Sequence, residues 1–148
     1  MTKMANIIYQ NNLRTEAEHI ASGENFFTDA PIDNNGKGQA FSPTDLVAIA
    51  LGSCMITIMA IAAEKYGIDV SGIDASAEKI MDSNPRRIKE IIISIGMSKD
   101  IEKKDRKRLE NAALSCPVHK SLHPDLVKKI RFIYSWSFSG LWPRSVYN

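Results

Sequence analysis

A run of eighteen residues without a charged side chain most restricts what this 148-residue chain can fold into. It occupies positions 46–63, within the segment FSPTDLVAIALGSCMITIMAIAAEKYG. Ser42 and Asp45 have the spacing of a helix capping box, and Pro43 suits the first helical position. The segment is therefore predicted to be a helix with an apolar surface that needs cover on every side.

Eighteen apolar residues reach the lower limit for a membrane span, so a membrane helix is the first alternative. Gly52, Ser53, Cys54 and Thr57 interrupt the apolar character, and segments typical of strands surround the helix. A buried helix in a folded domain or a dimer core is the better interpretation, with no membrane contact. The start, MTKMANIIYQ, lacks the apolar stretch of a signal peptide, which favours a cytoplasmic protein.

The remaining segments alternate between strand and helix patterns. Short strands are predicted in MANIIYQ, EAEHIAS and NFFTD, and longer ones in VSGIDASAEKI and RRIKEIIISIGM. In the last of these, Ile91, Ile93, Ile95 and Met97 are expected to share one buried face. The helix patterns SKDIEKKDRKRLENAAL and CPVHKSLH precede a final strand, KIRFIYSWSF. This order, β-β-β-α-β-β-α-α-β, indicates one α+β domain over residues 1–148, with an unplaced tail after about residue 138.

The charge balance argues against nucleic acid as a partner. Nineteen basic and seventeen acidic residues leave a net charge of +2, which is no electrostatic footprint for a polyanion. The densest basic run, KKDRKRLE, contains acidic residues at helical spacing, so we interpret it as a solvated helix face.

The chain has two cysteines, Cys54 inside the uncharged helix and Cys116 directly before Pro117. A cysteine at a helix N-terminus lies at the positive end of the helix dipole, which favours the thiolate, and Lys120 one turn later adds to this effect. Taken singly, each cysteine is also compatible with an incidental role, since buried cysteines often act as small apolar residues.

A zinc site is an alternative for the same residues. Cys116, His119 and His123 stand at i, i+3 and i+7, and Cys54 would complete a Cys₂His₂ set. However, Pro124 is expected to end the helix, and the usual short-spaced pairs of zinc ligands are missing. We therefore expect neither a metal nor another cofactor.

Two motifs in combination resemble the OsmC/Ohr family, the osmotically inducible and organic hydroperoxide resistance proteins. These are FSPTDLVAIALGSC and, further along, LSCPVHKSL, and the segments DAP (positions 29–31) and PRRIKEI resemble an OsmC-like branch. The resemblance covers most of the chain, as far as FIYSW. It implies an α+β OsmC-like fold in which antiparallel sheets wrap around central helices and two chains intertwine as a homodimer.

The resemblance also implies a chemistry for the two cysteines. Cys54 would be the peroxidatic thiol, which reduces an organic hydroperoxide and becomes a sulfenic acid. Cys116 would be the resolving thiol, which closes a disulfide that a dihydrolipoyl-type dithiol or a small thiol then reduces. A non-catalytic thiol sensor or small-molecule-binding protein on the same fold is the alternative.

Peroxidatic members of the family also use an arginine and a glutamate to hold the thiolate and orient the peroxide. Arg14 is the positional match for the arginine. The glutamate directly follows the proline at the helix start, where this chain has Thr44, and Asp45 one residue later is either its substitute or only a helix cap. The missing glutamate favours the non-catalytic alternative, whereas the cysteine pair favours the peroxidase.

Overall fold

A computed structural model describes residues 2–136 of the chain, without the side chain of Trp136. The tail after about residue 138 lies outside the described residues. The elements follow the predicted order: β1 (Ala5–Tyr9), β2 (Arg14–His19), β3 (Asn25–Asp29), α1 (Pro43–Tyr66), β4 (Asp74–Ser83), β5 (Arg86–Ser98), α2 (Lys103–Leu114), α3 (Pro117–Ser121) and β6 (Val127–Trp136).

Strands β1, β2 and β3 form an antiparallel three-stranded sheet. The turn between β1 and β2 contains three residues at positive φ, Asn11, Asn12 and Leu13. Asparagine tolerates this left-handed region better than most residues, which suits a tight turn between two strands. The register of β2 and β3 places Arg14 directly opposite Asp29.

The N-terminus of α1 is held by the predicted capping box. The backbone N–H of Asp45 donates to Ser42 Oγ at 3.1 Å, and the backbone N–H of Ser42 donates to Asp45 Oδ2 at 2.7 Å. Among the described residues, α1 is the one helix long and apolar enough to cross a membrane, with a mean hydropathy of 2.4. The core helix of a soluble domain meets the same criterion.

The second sheet has the order β4-β5-β6, and it differs in one respect from the expected antiparallel arrangement. Strands β4 and β5 pair antiparallel, but β5 and β6 pair parallel. Parallel neighbours need a long crossover connection, and α2 with α3 supplies it. Because β6 follows two helices and not a tight turn, it enters the sheet in the same direction as β5.

The core of this part of the chain lies between α1 and β5. Leu51, Met55 and Met59, spaced four residues apart on α1, are fully buried. A Cβ atom at Gly52 would lie 3.5 Å from Ile93 Cδ1, an ordinary van der Waals distance. Helix α1 therefore packs directly on β5 at this point.

Strand β5 is buried on both faces over residues 91–98, whereas the sequence pattern predicted a single buried face. The second face includes Ser94, Gly96 and Ser98, which are not apolar. The alternation of isoleucines could not indicate that this face is covered too.

The described residues group into two compact units that divide between Val47 and Ala48. The first contains β1 to β3, the following loop and the start of α1. The second contains the rest of α1 and all later elements. The single domain expected over residues 1–148 stays a prediction.

Candidate active site

The structure brings the two cysteines together within the second unit. Cys54 is half-buried on α1, and Cys116 is the N-cap of α3 with 0% of its surface exposed. Both are free thiols, and Cys54 lies near enough to Cys116 to raise the pKa of its thiol. Residues far apart in sequence thus form a thiol pair, in which Cys54 is the more accessible member.

The surroundings of Cys116 oppose the thiolate. Burial raises the pKa of Cys116, and the neighbouring Cys54 raises it further. The hydrogen bond from the backbone N–H of His119 to the sulfur of Cys116 (3.3 Å) lowers the pKa, but by less than burial raises it. The helix N-terminus does favour the thiolate, because the backbone N–H groups of His119 and Val118 lower the pKa of Cys116. Desolvation has the larger effect at the start of this helix of five residues, so the pKa is raised overall.

The residues of the zinc alternative do not form a metal site. His123 is exposed, and its Nδ1 accepts a hydrogen bond from the backbone N–H of Asp125 at 3.1 Å. Burial lowers the pKa of His119, and the charges of Lys128 and Lys120 lower it further. Within residues 2–136, no three His, Cys, Asp or Glu side chains are grouped to hold a metal ion.

In the first unit, Arg14 forms a two-point ion pair with Asp29. Arg14 Nε donates to Asp29 Oδ1 at 2.7 Å, and Arg14 Nη2 donates to Asp29 Oδ2 at 2.8 Å. The pKa of Asp29 is lowered chiefly by this hydrogen bonding, and the pKa of Arg14 is raised by the same contact. Both groups are thus held in their charged forms, with the planar guanidinium fixed in orientation by its two bonds.

Asp29 is 1% exposed, and sequence reasoning missed its part in this arrangement. The segment DAP resembles a family feature, but the sequence alone indicates no role for its aspartate. The available signal was the hairpin itself: if the turn after β2 is placed correctly, Arg14 and Asp29 become cross-strand neighbours.

Asp45, the candidate substitute for the family glutamate, lies in the capping box of α1. Its carboxylate accepts the backbone N–H of Ser42, while Thr44 Oγ1 lies 3.1 Å from Ser42 Oγ. The described bonds of Asp45 therefore hold the helix start, and the carboxylate bonded to Arg14 is that of Asp29.

Comparison with known proteins places these features in a family context. The model of the family described as OsmC-like protein matches residues 36–130, and no curated protein matches the sequence. The crystal structure of a candidate osmotic stress induced and detoxification response protein from Psychrobacter arcticus 273-4 is 45% identical, with a TM-score of 0.86. The match covers 89% of this chain and 96% of that one.

Two further solved structures share the fold at lower identity. An organic hydroperoxide resistance protein OsmC from Legionella pneumophila is 15% identical, with a TM-score of 0.72 over 90% of this chain and 97% of its own. An organic hydroperoxide resistance protein from Elizabethkingia anophelis is 11% identical, with a TM-score of 0.71 over 91% and 99% of the two chains. The predicted OsmC-like α+β fold is confirmed.

Proposed function

Because the chain belongs to the OsmC-like protein family, we propose that it is a thiol-dependent peroxidase that reduces organic hydroperoxides through Cys54 and Cys116. The observation that carries the proposal is the pair of neighbouring free thiols, one half-buried and one fully buried. The shared fold of the organic hydroperoxide resistance proteins supports a peroxide-related role.

In the first step, the Cys54 thiolate attacks the peroxide oxygen that bears the hydrogen. The O–O bond breaks, the alkoxide takes up a proton and leaves as an alcohol, and Cys54 becomes a sulfenic acid. In the second step, the Cys116 sulfur displaces the sulfenic hydroxyl group, which leaves as water with the thiol proton of Cys116. A dithiol of the dihydrolipoyl type, or two small thiols, then reduces the disulfide by exchange and is itself oxidised.

The unequal exposure of the two thiols supports this division of roles. Cys54 is the sulfur that an incoming peroxide can reach, whereas Cys116 is fully buried. The raised pKa of Cys116 keeps it protonated, which suppresses direct attack of this sulfur on peroxide. The uncharged stretch of α1 that carries Cys54, residues 46–63, suits an alkyl hydroperoxide better than hydrogen peroxide.

Arg14 is our proposed partner of the thiolate or of the peroxide, on the strength of the family resemblance and of its fixed, charged state. Asp45 is proposed to support the site indirectly, by holding the start of the helix that carries Cys54. The protein is proposed to act as a cytoplasmic homodimer without a metal or other cofactor.

Peroxide consumption by the reduced protein tests the proposal. In stopped-flow measurements, wild type is expected to react faster with cumene hydroperoxide than with hydrogen peroxide, and Cys54→Ser to react with neither. Serine is too poor a nucleophile at neutral pH to replace the thiolate. Cys116→Ser is expected to react once and to leave a sulfenic acid that dimedone traps.

The mass of the oxidised wild type provides the control. One equivalent of peroxide is expected to remove two hydrogens and to link the peptides that contain Cys54 and Cys116. Peroxide consumption that is unchanged in both cysteine variants would refute the peroxidase and favour the sensor or binding protein. Reaction of Cys54→Ser but not of Cys116→Ser would reverse the two roles.

A further inference from the structure

Arg14 has a carboxylate partner in this chain although the family glutamate is missing at Thr44. We propose that Asp29 is the positioning residue for Arg14, an inference that rests on the proposed peroxidase function. It supplies from strand β3 the negative charge that other peroxidatic members supply from the start of the cysteine helix. The absence of glutamate at position 44 is then no argument against catalysis.

The first support is the geometry of the pair. Both carboxylate oxygens of Asp29 accept from the guanidinium, at 2.7 and 2.8 Å, and they use Nε and Nη2. A second contact comes from the Phe27 ring, whose centroid lies 5.3 Å from the Arg14 Cζ atom. Two hydrogen bonds and one ring contact define the plane of the guanidinium.

The second support is the difference in exposure within the pair. The Asp29 side chain is 1% exposed, whereas that of Arg14 is 31% exposed. Nη1 lies outside the two-bond pair with Asp29, so the guanidinium keeps a side that can approach another negative group. A buried carboxylate that fixes a partly open cation is the arrangement expected of a positioning residue.

The third support is that the protein backbone holds Asp29 itself in place. The backbone N–H of Gln39 donates to Asp29 Oδ2 at 3.0 Å, and the nearby N–H of Ala40 also lowers the pKa of the carboxyl group. The N–H of Asp29 donates to the carbonyl of Phe41 at 3.1 Å. These bonds fold the loop of residues 30–41 back onto Asp29.

The same loop leaves no room for a side chain at two of its glycines. A side chain at Gly36 would overlap the carbonyl group of Ala30, and Gly38 has a φ of +59° with Ile32 directly beside it. The loop continues directly into Ser42 and Asp45, the capping box of α1. Asp29 therefore connects Arg14 with the segment that begins the cysteine helix.

A double-mutant cycle tests the inference with cumene hydroperoxide and reduced protein. Arg14→Ala and Asp29→Asn are each expected to slow the oxidation of Cys54 on the order of a hundredfold, the size of effect typical for one electrostatic group. The double variant is expected to be no slower than Arg14→Ala, because Asp29 acts only through the arginine. Glu18→Gln removes an exposed carboxylate from the same sheet and is expected to react like wild type.

Added guanidinium ion gives a readout that a merely structural role would not change. The added ion should partly restore the rate of Cys54 oxidation in Arg14→Ala, since Asp29 can hold the free ion. It should not restore the rate in the double variant. Additive losses, or equal rescue of both, would overturn the role of Asp29 and leave the peroxidase intact. Full activity of Arg14→Ala would likewise overturn the role of Asp29 and leave the peroxidase intact. Failure of wild type to consume peroxide would overturn both the peroxidase and this inference.

Discussion

The sulfur of Cys116 takes part in two interactions at the residue scale. It accepts the hydrogen bond that caps α3, and it interacts electrostatically with the neighbouring thiol of Cys54. Because the side chain is fully buried, its proton is retained to higher pH than in an exposed cysteine. The protonation of this one group should therefore affect both the stability of the fold and the closing of the disulfide.

We predict that stability falls with rising pH because of Cys116. The pKa of this thiol is raised in the folded state, so the folded protein binds more protons than the unfolded one above about pH 8.5, the ordinary cysteine value. By linkage, the free energy of unfolding then decreases as pH rises. Urea denaturation with a reductant between pH 7 and 10 should show a steeper decrease for wild type than for Cys116→Ala.

The matched control for this measurement is Cys54→Ala, which should retain most of the steep decrease because Cys116 still titrates there. Parallel curves for wild type and Cys116→Ala would contradict the raised pKa. The contribution of Cys116 is present in full below the unfolded-state pKa, and it is lost as pH rises through the folded-state pKa.

The position of Cys116 could be predicted from the sequence, but its ionisation could not. The following proline marks a helix start by purely local rules, since its ring suits the first helical position. Burial depends on the side chains that the fold places around the sulfur, and local rules do not contain this information. The pairing of Arg14 with Asp29 was missed for a related reason, because it depends on the exact register of two strands.

At the scale of elements, the start of α1 depends on Ser42. This side chain is buried, accepts the N–H of Asp45 and lies 3.1 Å from Thr44 Oγ1. Without it, a backbone donor in the first turn of the helix loses its partner.

We predict that Ser42→Ala lowers the free energy of unfolding by about 1 kcal/mol, the usual loss for a helix N-cap. Thr57→Ala is the matched control, because Thr57 is exposed in the same helix and its hydroxyl donates only to the carbonyl of Ser53. Chemical denaturation of both variants measures the difference. Equal stability of Ser42→Ala and wild type would show that the capping box contributes nothing.

The type and order of the elements were predictable because their signals are local. Alternating apolar residues indicated β5 and β6, and the spacing of Ser42, Pro43 and Asp45 indicated the start of α1. The parallel pairing of β5 and β6 was not predictable in this way. It depends on where a crossover of two helices delivers the chain, which is a property of tertiary packing.

At the scale of the whole molecule, large apolar side chains remain exposed in both units. In the first unit these include Ile7, Ile8 and Phe26, and in the second Ile61, which is 58% exposed on α1. Only 33% of the most apolar window of α1 is buried. Exposed apolar surface of this kind is typical of a face that another protein covers.

We predict a homodimer that includes the exposed side of α1. Sedimentation at micromolar concentration should show a dimer, and Ile61→Glu should shift it towards the monomer, because a charge in an apolar interface lacks a partner. Lys65→Glu, an exposed change in the last turn of the same helix, is the control for added negative charge. A wild-type monomer that Ile61→Glu leaves unchanged would contradict this prediction.

The parallel pairing of β6 with β5 has a consequence for how the protein acquires its structure during synthesis. The β4–β5 hairpin can close as soon as it leaves the ribosome, since its strands are joined by a short turn. The other edge of β5 must wait until α2, α3 and β6 have also been made. During this interval an isoleucine-rich strand has an open edge, and other chains can add to such an edge. The yield of folded protein should therefore depend on the rate of translation between Ser98 and Val127.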